Sequence, residues 1–349
     1  MDPSPTEPKI ALVVATYRRP EALATLLAAL GRQTLTRSQF EVAVVIDCVD
    51  DSEAAYLQVL ERARSEAGLP VQWTFQANAG QSVARDRGIG ATRARWVVVV
   101  DDDMDLAPGF LAAHLEALES GGPKTVAIGR VDPEVGWERQ PLHEAMRTLS
   151  MLDLHEEIAR GRRQSWGKAF VTQNVSFGRD LYRSVGGFDA ALRLGEDTEL
   201  GWQFERAGAH FVFADRAAAV HRSRVGSFDT WLRRQVEYGR SGIYIYQKLG
   251  RDPQFHYLRN LANGSRLNAL LVSALCRSDA TARSGIALLR WLGEGLQRLG
   301  AIRPAVATHK AIQSLAYHLG VRRALGSWSR LQQEKRSFLA TLDRPLGPA

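Results

Sequence analysis

Three adjacent carboxylates, Asp101, Asp102 and Asp103, carry the clearest chemical signal in this sequence. They follow the apolar run WVVVV at residues 96–100, which is typical of a strand buried on both faces. Neighbouring carboxylates repel one another, and Mg²⁺ or Mn²⁺ would remove that repulsion because these cations prefer oxygen ligands. On an extended strand end, Asp101 and Asp103 point to one side and Asp102 to the other. The triplet predicts a metal or ribose site, and the alternative is a solvated acidic turn.

Two further carboxylates, Glu196 and Asp197, lie at the start of a predicted helix over residues 197–207. One interpretation is that they cap free backbone N–H groups at the start of that helix. The other is that one of them is a general base at the edge of a cleft. His221, which follows a predicted strand, is either structural or completes a metal site begun by carboxylates.

The segment NAGQSVARDRG, residues 78–88, runs from a predicted strand through a glycine turn into a predicted helix. A helix N-terminus with nearby arginines suits an anionic ligand. A glycine at such a turn is also common for structural reasons, so this segment alone does not decide the function.

The elements that must position these residues alternate between strand and helix over residues 9–130. Such alternation favours a parallel sheet with helices on both faces, in which ligands bind at the carboxyl ends of the strands. Three of the four predicted strands end in polar loops at that edge. The predicted strands are residues 9–15, 41–47, 71–76 and 96–100, and the predicted helices are residues 20–30, 52–66 and 80–93.

The rest of the chain has a different pattern. Residues 125–223 are predicted to be mixed, and the chain after residue 227 is predicted to be helical to its end. The predicted strands of the mixed part are residues 125–131, 169–177 and 210–214, and its predicted helices are residues 142–159 and 197–207.

The composition excludes several classes of protein. Of the 349 residues, 45% are hydrophobic and 24% are charged, which excludes a wholly disordered chain. Two distant cysteines exclude a disulfide framework and a cysteine zinc site. No apolar run reaches the ~18–20 residues that span a bilayer. The N-terminus lacks the pattern of a signal peptide, so we expect a cytoplasmic protein.

The net charge of +7 is unevenly distributed. Residues 251–349 hold 15 Lys and Arg against 5 Asp and Glu, a net charge of +10. This segment includes amphipathic stretches at residues 286–299 and 311–325. Helix-on-helix packing is the default interpretation. We also expect peripheral, salt-sensitive contact with an anionic membrane at its inner face. No nucleic-acid-binding motif is recognised, so no nucleic-acid partner is expected.

Several motifs in this order and spacing resemble a family 2 glycosyltransferase with the GT-A fold, over about residues 9–240. They are VVATYRRP, VVID, NAGQSVARDRGIG, VVVVDDDMDLAPGF, GGFD and GEDTELGWQFERAG, followed by His221. The resemblance implies an α/β fold with a Rossmann-like, mixed but mainly parallel sheet flanked by helices, and a helical C-terminal extension. It implies transfer of a sugar, with inversion, from a nucleotide diphosphate donor to a hydroxyl of a glycan, lipid-linked or small-molecule acceptor.

The resemblance also implies a domain plan. Residues 1–8 would be a disordered tail and residues 9–225 the catalytic domain. Within that domain, residues 9–130 would bind the nucleotide and residues 131–225 the acceptor. Residues 226–349 would be the helical region, and self-association is left open.

Individual roles also follow from the resemblance. Asp101, Asp103 and His221 match the ligands of Mg²⁺ or Mn²⁺, and Asp197 matches the catalytic base, with Glu196 beside it. The residues that match nucleotide-binding segments are Thr16, Tyr17, Asp47, Gly80, Arg85, Asp101 and Asp102.

The sequence departs from the family pattern at Cys48, and two other functions are considered. Cys48 stands where many members carry a second aspartate that contacts uracil, which argues against a UDP donor and leaves GDP- and dTDP-linked donors open. A sugar-phosphate nucleotidyltransferase would carry a glycine-rich loop after its first strand, where this chain has TYRRP. A non-catalytic nucleotide-sugar-binding scaffold would lose the acidic motif or the base, and both are present.

Overall fold

The computed structural model describes residues 7–222, 226–259 and 265–342, without the side chains of Lys168 and Leu342. The chain divides into two compact units, Met1–Val135 with Ser150–Arg224, and Gly136–Leu149 with Val225–Ala349. The predicted tail lies outside the described residues as far as residue 6, as does the predicted domain boundary at residue 225. The second unit takes in residues 136–149, which the sequence assigned to the acceptor part.

The first unit is built on one eight-stranded sheet in its described residues, with the strand order β3-β2-β1-β4-β7-β6-β8-β5. The strands are β1 Ile10–Thr16, β2 Phe40–Ile46, β3 Val71–Phe75, β4 Trp96–Asp101, β5 Met104–Leu106, β6 Thr125–Pro133, β7 Asn174–Gly178 and β8 His210–His221.

Helices connect these strands. They are α1 Pro20–Gly31, α2 Glu53–Ser65, α3 Gln81–Ala91, α4 Phe110–Gly121, α5 Leu142–Ala159, α6 Arg179–Ser184 and α7 Glu196–Arg206. Helix α5 passes from the second unit into the first at residue 150. Short 3₁₀ turns lie at Arg37–Gln39, Trp137–Arg139 and Gly167–Ala169.

The N-terminal half of the sheet is parallel, as the alternation of strands and helices predicted. Strand β1 pairs with β2 and β4, and β2 pairs with β3, all in parallel. In this register Thr16 lies opposite Ile46, and Ala15 lies opposite Asp101. The carboxyl ends of β1, β2 and β4 therefore meet at one edge of the sheet.

The other half of the sheet makes it mixed. Strand β7 is antiparallel to both β4 and β6, β8 is parallel to β6, and β5 is antiparallel to β8. Parallel pairings are the majority among the described strands, which confirms the mixed, mainly parallel sheet. The β5–β8 pairing places Met104 opposite His221, so the end of β8 comes back to the acidic triplet.

Both faces of the sheet are covered because β1 and β4 are apolar on both sides. One face packs against α1 and α4 through residues such as Leu12, Leu26 and Leu111. The other face packs Val13 and Val97 against aromatic side chains that include Phe204. This double burial explains the continuous apolar runs in the sequence.

The second unit is helical in its described residues, as predicted. It contains the first turns of α5 and five further helices, with a 3₁₀ turn at Pro253–Phe255. The helices are α8 Phe228–Lys248, α9 Arg266–Leu275, α10 Asp279–Arg298, α11 Ile302–Leu325 and α12 Trp328–Leu342. Ile286 of α10 and the apolar line Ile312, Leu315 and Leu319 of α11 pack together in its core. Among the helices that the structure describes, none has a stretch long and apolar enough to cross a membrane.

Candidate active site

The candidate site lies in the first unit, at the sheet edge where β1, β2 and β4 end. Tight turns follow β1 and β4, and Asp102 and Asp103 lie in the turn between β4 and β5. The main chain of Arg222 donates a hydrogen bond to the Asp103 carbonyl oxygen at 2.8 Å, which ties the end of β8 to this turn.

Asp102 is the buried member of the triplet. Its Oδ2 accepts a hydrogen bond from the Thr16 hydroxyl at 2.7 Å, and Arg19 Nη1 lies 3.1 Å from its Oδ1. Burial raises the pKa of the Asp102 carboxyl to about 6, although Arg19 and Thr16 act in the opposite direction. The Asp102 contacts fasten the end of β1 to the acidic turn, so this carboxylate shapes the turn from inside.

Asp103 and His221 are brought together, as the sequence predicted. His221 Nε2 lies 3.4 Å from Asp103 Oδ1, and Arg19 Nη1 donates to Asp103 Oδ2 at 2.8 Å. Both Asp103 and His221 are only slightly exposed. A carboxylate oxygen and an imidazole nitrogen thus face each other at the sheet edge.

Asp101 belongs to a second cluster of charges. Arg85 Nη2 donates to Asp101 Oδ1 at 2.8 Å, and Arg85 Nη1 donates to Glu196 Oε1 at 2.8 Å. Gln81 Nε2 donates to the same Glu196 oxygen at 2.6 Å. Arg85 is 3% exposed, and its two ion pairs connect the acidic triplet to the start of α7.

The two carboxylates at the start of α7 have different surroundings. Glu196 is buried, and its Oε2 has no hydrogen-bond partner among the described residues. Burial and the Asp197 charge raise the pKa of Glu196 to about 7, against the effect of Arg85. Asp197 is partly buried, and its Oδ1 accepts a hydrogen bond from the Thr198 main-chain nitrogen at 2.7 Å.

The Asp197 carboxyl combines both interpretations that the sequence left open. It binds a first-turn N–H, as a capping residue would, yet the residue at the N-cap position is Gly195. Burial raises the pKa of Asp197, and the nearby Asp101 charge acts in the same direction. A carboxylate with a raised pKa close to a cluster of charges is suited to accept a proton.

Asp47 and Gly80 organise the loop before α3. Asp47 accepts hydrogen bonds from Gln76 Nε2 at 2.8 Å and from the main-chain nitrogens of Ala79 and Gly80, both at 2.9 Å. Gly80 has a φ of +95°, which favours glycine. Asp47 therefore shapes the loop from inside, because its oxygens already accept three hydrogen bonds.

Tyr17 lies apart from these clusters. Its side chain is 42% exposed, and the Arg18 guanidinium lies 5.2 Å from the centre of its ring. Arg18 also forms an ion pair with Asp50 at 2.6 Å. Tyr17 is therefore available to a ligand, whereas Thr16 beside it is buried against Asp102.

Sequence reasoning missed two residues of the site. Arg19 contacts both Asp102 and Asp103, and the Tyr56 hydroxyl accepts a hydrogen bond from the Arg19 main-chain nitrogen at 2.7 Å. Arg19 could have been found, since it follows a predicted strand whose end faces the acidic triplet. Tyr56 lies within an amphipathic helix and gives no such signal.

The site offers few protein ligands, chiefly Asp103 and His221, to a metal ion. No group of three or more His, Cys, Asp or Glu side chains is arranged to hold a metal ion within the described ranges. Asp103 and His221 form a pair, while Asp101 is turned to Arg85. Mg²⁺ commonly binds through one or two carboxylates and takes its other ligands from substrate phosphates. The pair fits an ion shared with a diphosphate.

Comparison with known proteins gives consistent matches. The family model described as Glycosyl transferase family 2 matches residues 11–184. The chain is 28% identical over 241 residues to the succinoglycan biosynthesis protein ExoO of Rhizobium meliloti, covering 65% of this chain and 64% of that protein. It is 27% identical over 240 residues to a pre-mycofactocin glycosyltransferase of Mycobacterium tuberculosis, covering 67% and 44%. The chain thus spans less than two thirds of the length of each of these relatives.

A solved structure shares the fold. It is the mannosyltransferase PcManGT from Pyrobaculum calidifontis in complex with GDP-Man and Mn²⁺, with a TM-score of 0.53 and 16% identity. The match covers 98% of this chain and 83% of that one. By its sequence and its fold, this chain belongs to glycosyl transferase family 2 and has the GT-A architecture.

Proposed function

We propose that this chain transfers a sugar from a nucleoside diphosphate donor to an acceptor hydroxyl, with inversion at the anomeric carbon and dependence on Mg²⁺ or Mn²⁺. The observation that carries the proposal is the Arg85 bridge between Asp101 and Glu196. It holds the start of α7, which bears Asp197, next to the acidic triplet. A proton acceptor and a centre for binding a diphosphate are thus neighbours.

In the proposed mechanism, Asp103 and His221 would hold the divalent cation, which would supply positive charge to stabilise the departing diphosphate. Arg19 adds a positive charge of the chain itself at the same place, since its Nη1 donates to Asp103 at 2.8 Å. Thr16 and Tyr56 hold Arg19 and the acidic turn in place. The two hydroxyls are hydrogen-bonded to each other, Thr16 donates to Asp102, and Tyr56 accepts from the Arg19 main chain.

Asp197 is the proposed general base. An acceptor hydroxyl is a poor nucleophile near pH 7, so its proton must leave as the new C–O bond forms. A carboxylate with a raised pKa takes that proton more readily than an ordinary aspartate, provided that it is ionised. Attack from the face opposite the diphosphate inverts the anomeric carbon, and no nucleophile of the enzyme is needed.

Glu196 and Arg85 are proposed as positioning residues. Glu196 is enclosed by Arg85 and Gln81, which favours Asp197 as the carboxylate that meets the acceptor. Arg85 was expected to contact the nucleotide. Its burial between two carboxylates favours the orientation of α7 as its contribution instead.

The donor and the acceptor are proposed as classes. The mannosyltransferase with a similar fold was solved with GDP-Man and Mn²⁺, and Cys48 favours GDP or dTDP over UDP as the donor nucleotide. The relatives act in succinoglycan biosynthesis and on pre-mycofactocin by their names, which supports a glycan, lipid-linked or small-molecule hydroxyl as the acceptor.

The test is the release of UDP, GDP or dTDP from a panel of nucleotide sugars, in Mn²⁺ and in excess EDTA. We expect one nucleotide class to be released in Mn²⁺, and the activity to be lost in Asp103→Asn. Asp105→Asn is the matched control, because Asp105 lies in β5 and its carboxylate pairs with the side chains of Arg32 and Arg222. Full activity in EDTA, or equal loss in both variants, would contradict the proposed site.

Adding nucleoside triphosphates and sugar phosphates to this panel separates the two rival functions. A sugar-phosphate nucleotidyltransferase would release pyrophosphate from a nucleoside triphosphate and a sugar phosphate. A non-catalytic binding protein would bind a nucleotide sugar and release no diphosphate with any acceptor preparation.

A further inference from the structure

Helix α10 in the second unit exposes large apolar side chains to solvent. Leu288 is 59% exposed, Trp291 is 69% exposed, and Leu299, directly after the helix, is 83% exposed. Leu292 is 41% exposed. These four residues, called the α10 strip below, recur at three-, four- and seven-residue steps and therefore share one side of the helix.

The α10 strip lies away from the side of α10 that packs into the core. Ala282, Gly285, Ile286 and Gly293 are the buried residues of α10. The sequence has an apolar line at residues 286, 289, 292, 296 and 299, for which packing against other helices was the default interpretation and membrane contact the alternative. The structure instead packs Ile286 and Leu289 against other helices of the unit. The exposed face shares Leu292 and Leu299 with that line but is completed by Leu288 and Trp291, which helical spacing alone did not identify.

Arginines flank the α10 strip. Arg283, Arg290 and Arg298 are exposed on the same helix. The Arg290 guanidinium lies 4.4 Å from the centre of the Phe228 ring and forms an ion pair with Glu294 at 2.7 Å. Beside Trp291, a groove of about 330 Å³ opens between α8 and α10, lined by Phe228, Leu232, Arg283, Ile286 and Arg290 among others.

The second unit carries a net positive charge, as do the arginines beside the α10 strip. Residues 136–149 and 225–349 contain 21 Lys and Arg against 9 Asp and Glu, a net charge of +12. Since the whole chain carries +7, the first unit carries −5. All of the basic excess therefore belongs to the unit that exposes the α10 strip.

We propose that the α10 strip docks this protein on the surface of an anionic phospholipid bilayer. Tryptophan and leucine on one side of a helix, with arginines beside them, suit the boundary between headgroups and acyl chains. The long arginine side chains can reach the phosphates while the apolar residues enter the boundary. A stable protein interface uses about 20–30 residues on each side, far more than this strip provides. The inference does not depend on the proposed transfer reaction.

The test is co-sedimentation of the full chain with vesicles of phosphatidylcholine alone or mixed with phosphatidylglycerol. We expect binding to the mixed vesicles at low salt, weaker binding at high salt, and little binding to phosphatidylcholine alone. The double variant Leu288→Ser/Trp291→Ser should bind at least about tenfold more weakly. Val135→Ser is the matched control, because Val135 is a fully exposed valine of the first unit.

Charge is tested separately with Arg283→Glu/Arg298→Glu, which should lose binding at low salt and show little further change at high salt. Thermal melting verifies that each variant folds, and release of nucleoside diphosphate is measured in the same samples. Unchanged vesicle binding in the double serine variant would overturn the proposal. So would a dimer, formed without vesicles, that this variant abolishes, because a second copy would then cover the strip.

Discussion

Two arginine side chains balance the carboxylates at the sheet edge. Arg19 contacts Asp102 and Asp103, and Arg85 contacts Asp101 and Glu196. The acidic residues could be predicted from the sequence because they are adjacent to one another. The pairing of Arg85 with Glu196 could not, since these two residues are 111 positions apart and only the folded sheet brings them into contact.

At this scale the first prediction concerns the proposed base. Asp197→Asn keeps the size of the side chain and an oxygen that can accept from the Thr198 nitrogen, but it cannot take a proton. Turnover should fall by about 10²–10⁴-fold with little change in donor affinity. Steady-state kinetics with a donor titration measures both quantities. Near-normal turnover would mean that Asp197 only caps α7.

The second prediction concerns Arg85 and the pH dependence of turnover. Burial raises the pKa of Asp197, and Arg85 lowers it. Loss of the Arg85 charge should therefore raise this pKa further and move the acidic limb of the rate profile to higher pH. We expect that movement in Arg85→Met and a smaller one in Arg85→Lys, which keeps the charge. A uniform loss of rate at every pH in both variants would indicate a purely structural arginine.

Most secondary-structure elements follow their sequence patterns closely. The predicted strand at residues 71–76 is Val71–Phe75, and the predicted helix at residues 142–159 is Leu142–Ala159. Strand β8 runs to His221, well beyond the predicted residue 214. The sequence did not predict its second half, because that stretch, RAAAVH, has three alanines and only Val220 as a β-branched residue. Strand β5 has three residues, which is too short for a periodic pattern.

Glycines at the crossing of α8 and α11 give the element-scale prediction. A Cβ at Gly320 would overlap the Val236 carbonyl oxygen, and one at Gly239 would overlap the Tyr317 carbonyl oxygen. Gly320→Ala should therefore lower the free energy of unfolding by about 2 kcal/mol or more. Gly295→Ala in α10 is the control, because a Cβ there meets no atom within 4 Å. The control should be stabilised by about 0.5–1 kcal/mol, and urea denaturation compares the two variants.

If Gly320→Ala and Gly295→Ala changed the free energy of unfolding equally, that result would contradict the close backbone contact between α8 and α11. The sequence did not indicate this crossing, since a glycine inside a helical pattern has the same appearance whether it meets a neighbouring backbone or open solvent.

At the scale of the whole molecule, a buried carboxyl links stability to pH. Burial raises the pKa of Glu196 to about 7, above the ordinary value of 4.5. The favourable contribution of the Glu196 carboxyl to the free energy of unfolding is complete at pH values below its pKa in the unfolded chain. That contribution is lost as the pH rises through about 7. Between pH 5 and pH 8, the free energy of unfolding of the parent protein should fall relative to that of Glu196→Gln. The expected relative loss is of the order of 2 kcal/mol, measured by urea denaturation at several pH values. A difference that is constant with pH would contradict this account.

The uneven charge is also a property of the whole molecule, and the sequence predicted it correctly. Composition alone assigned the basic excess to the C-terminal part, but it could not say which apolar residues of that part remain exposed. That depends on which side of α10 packs into the core, and packing is decided by all the helices of the unit together.

The account as a whole depends on a metal-assisted nucleotide site at the edge where β1, β2 and β4 end. Its most direct test is calorimetric titration of UDP, GDP and dTDP into the protein, because this measurement does not require the acceptor to be known. We predict saturable binding of at least one of them in Mn²⁺, loss of that binding in EDTA and in Asp103→Asn, and retention in Asp105→Asn. Binding that ignores EDTA and the Asp103 substitution, or no binding of any of the three, would contradict the account.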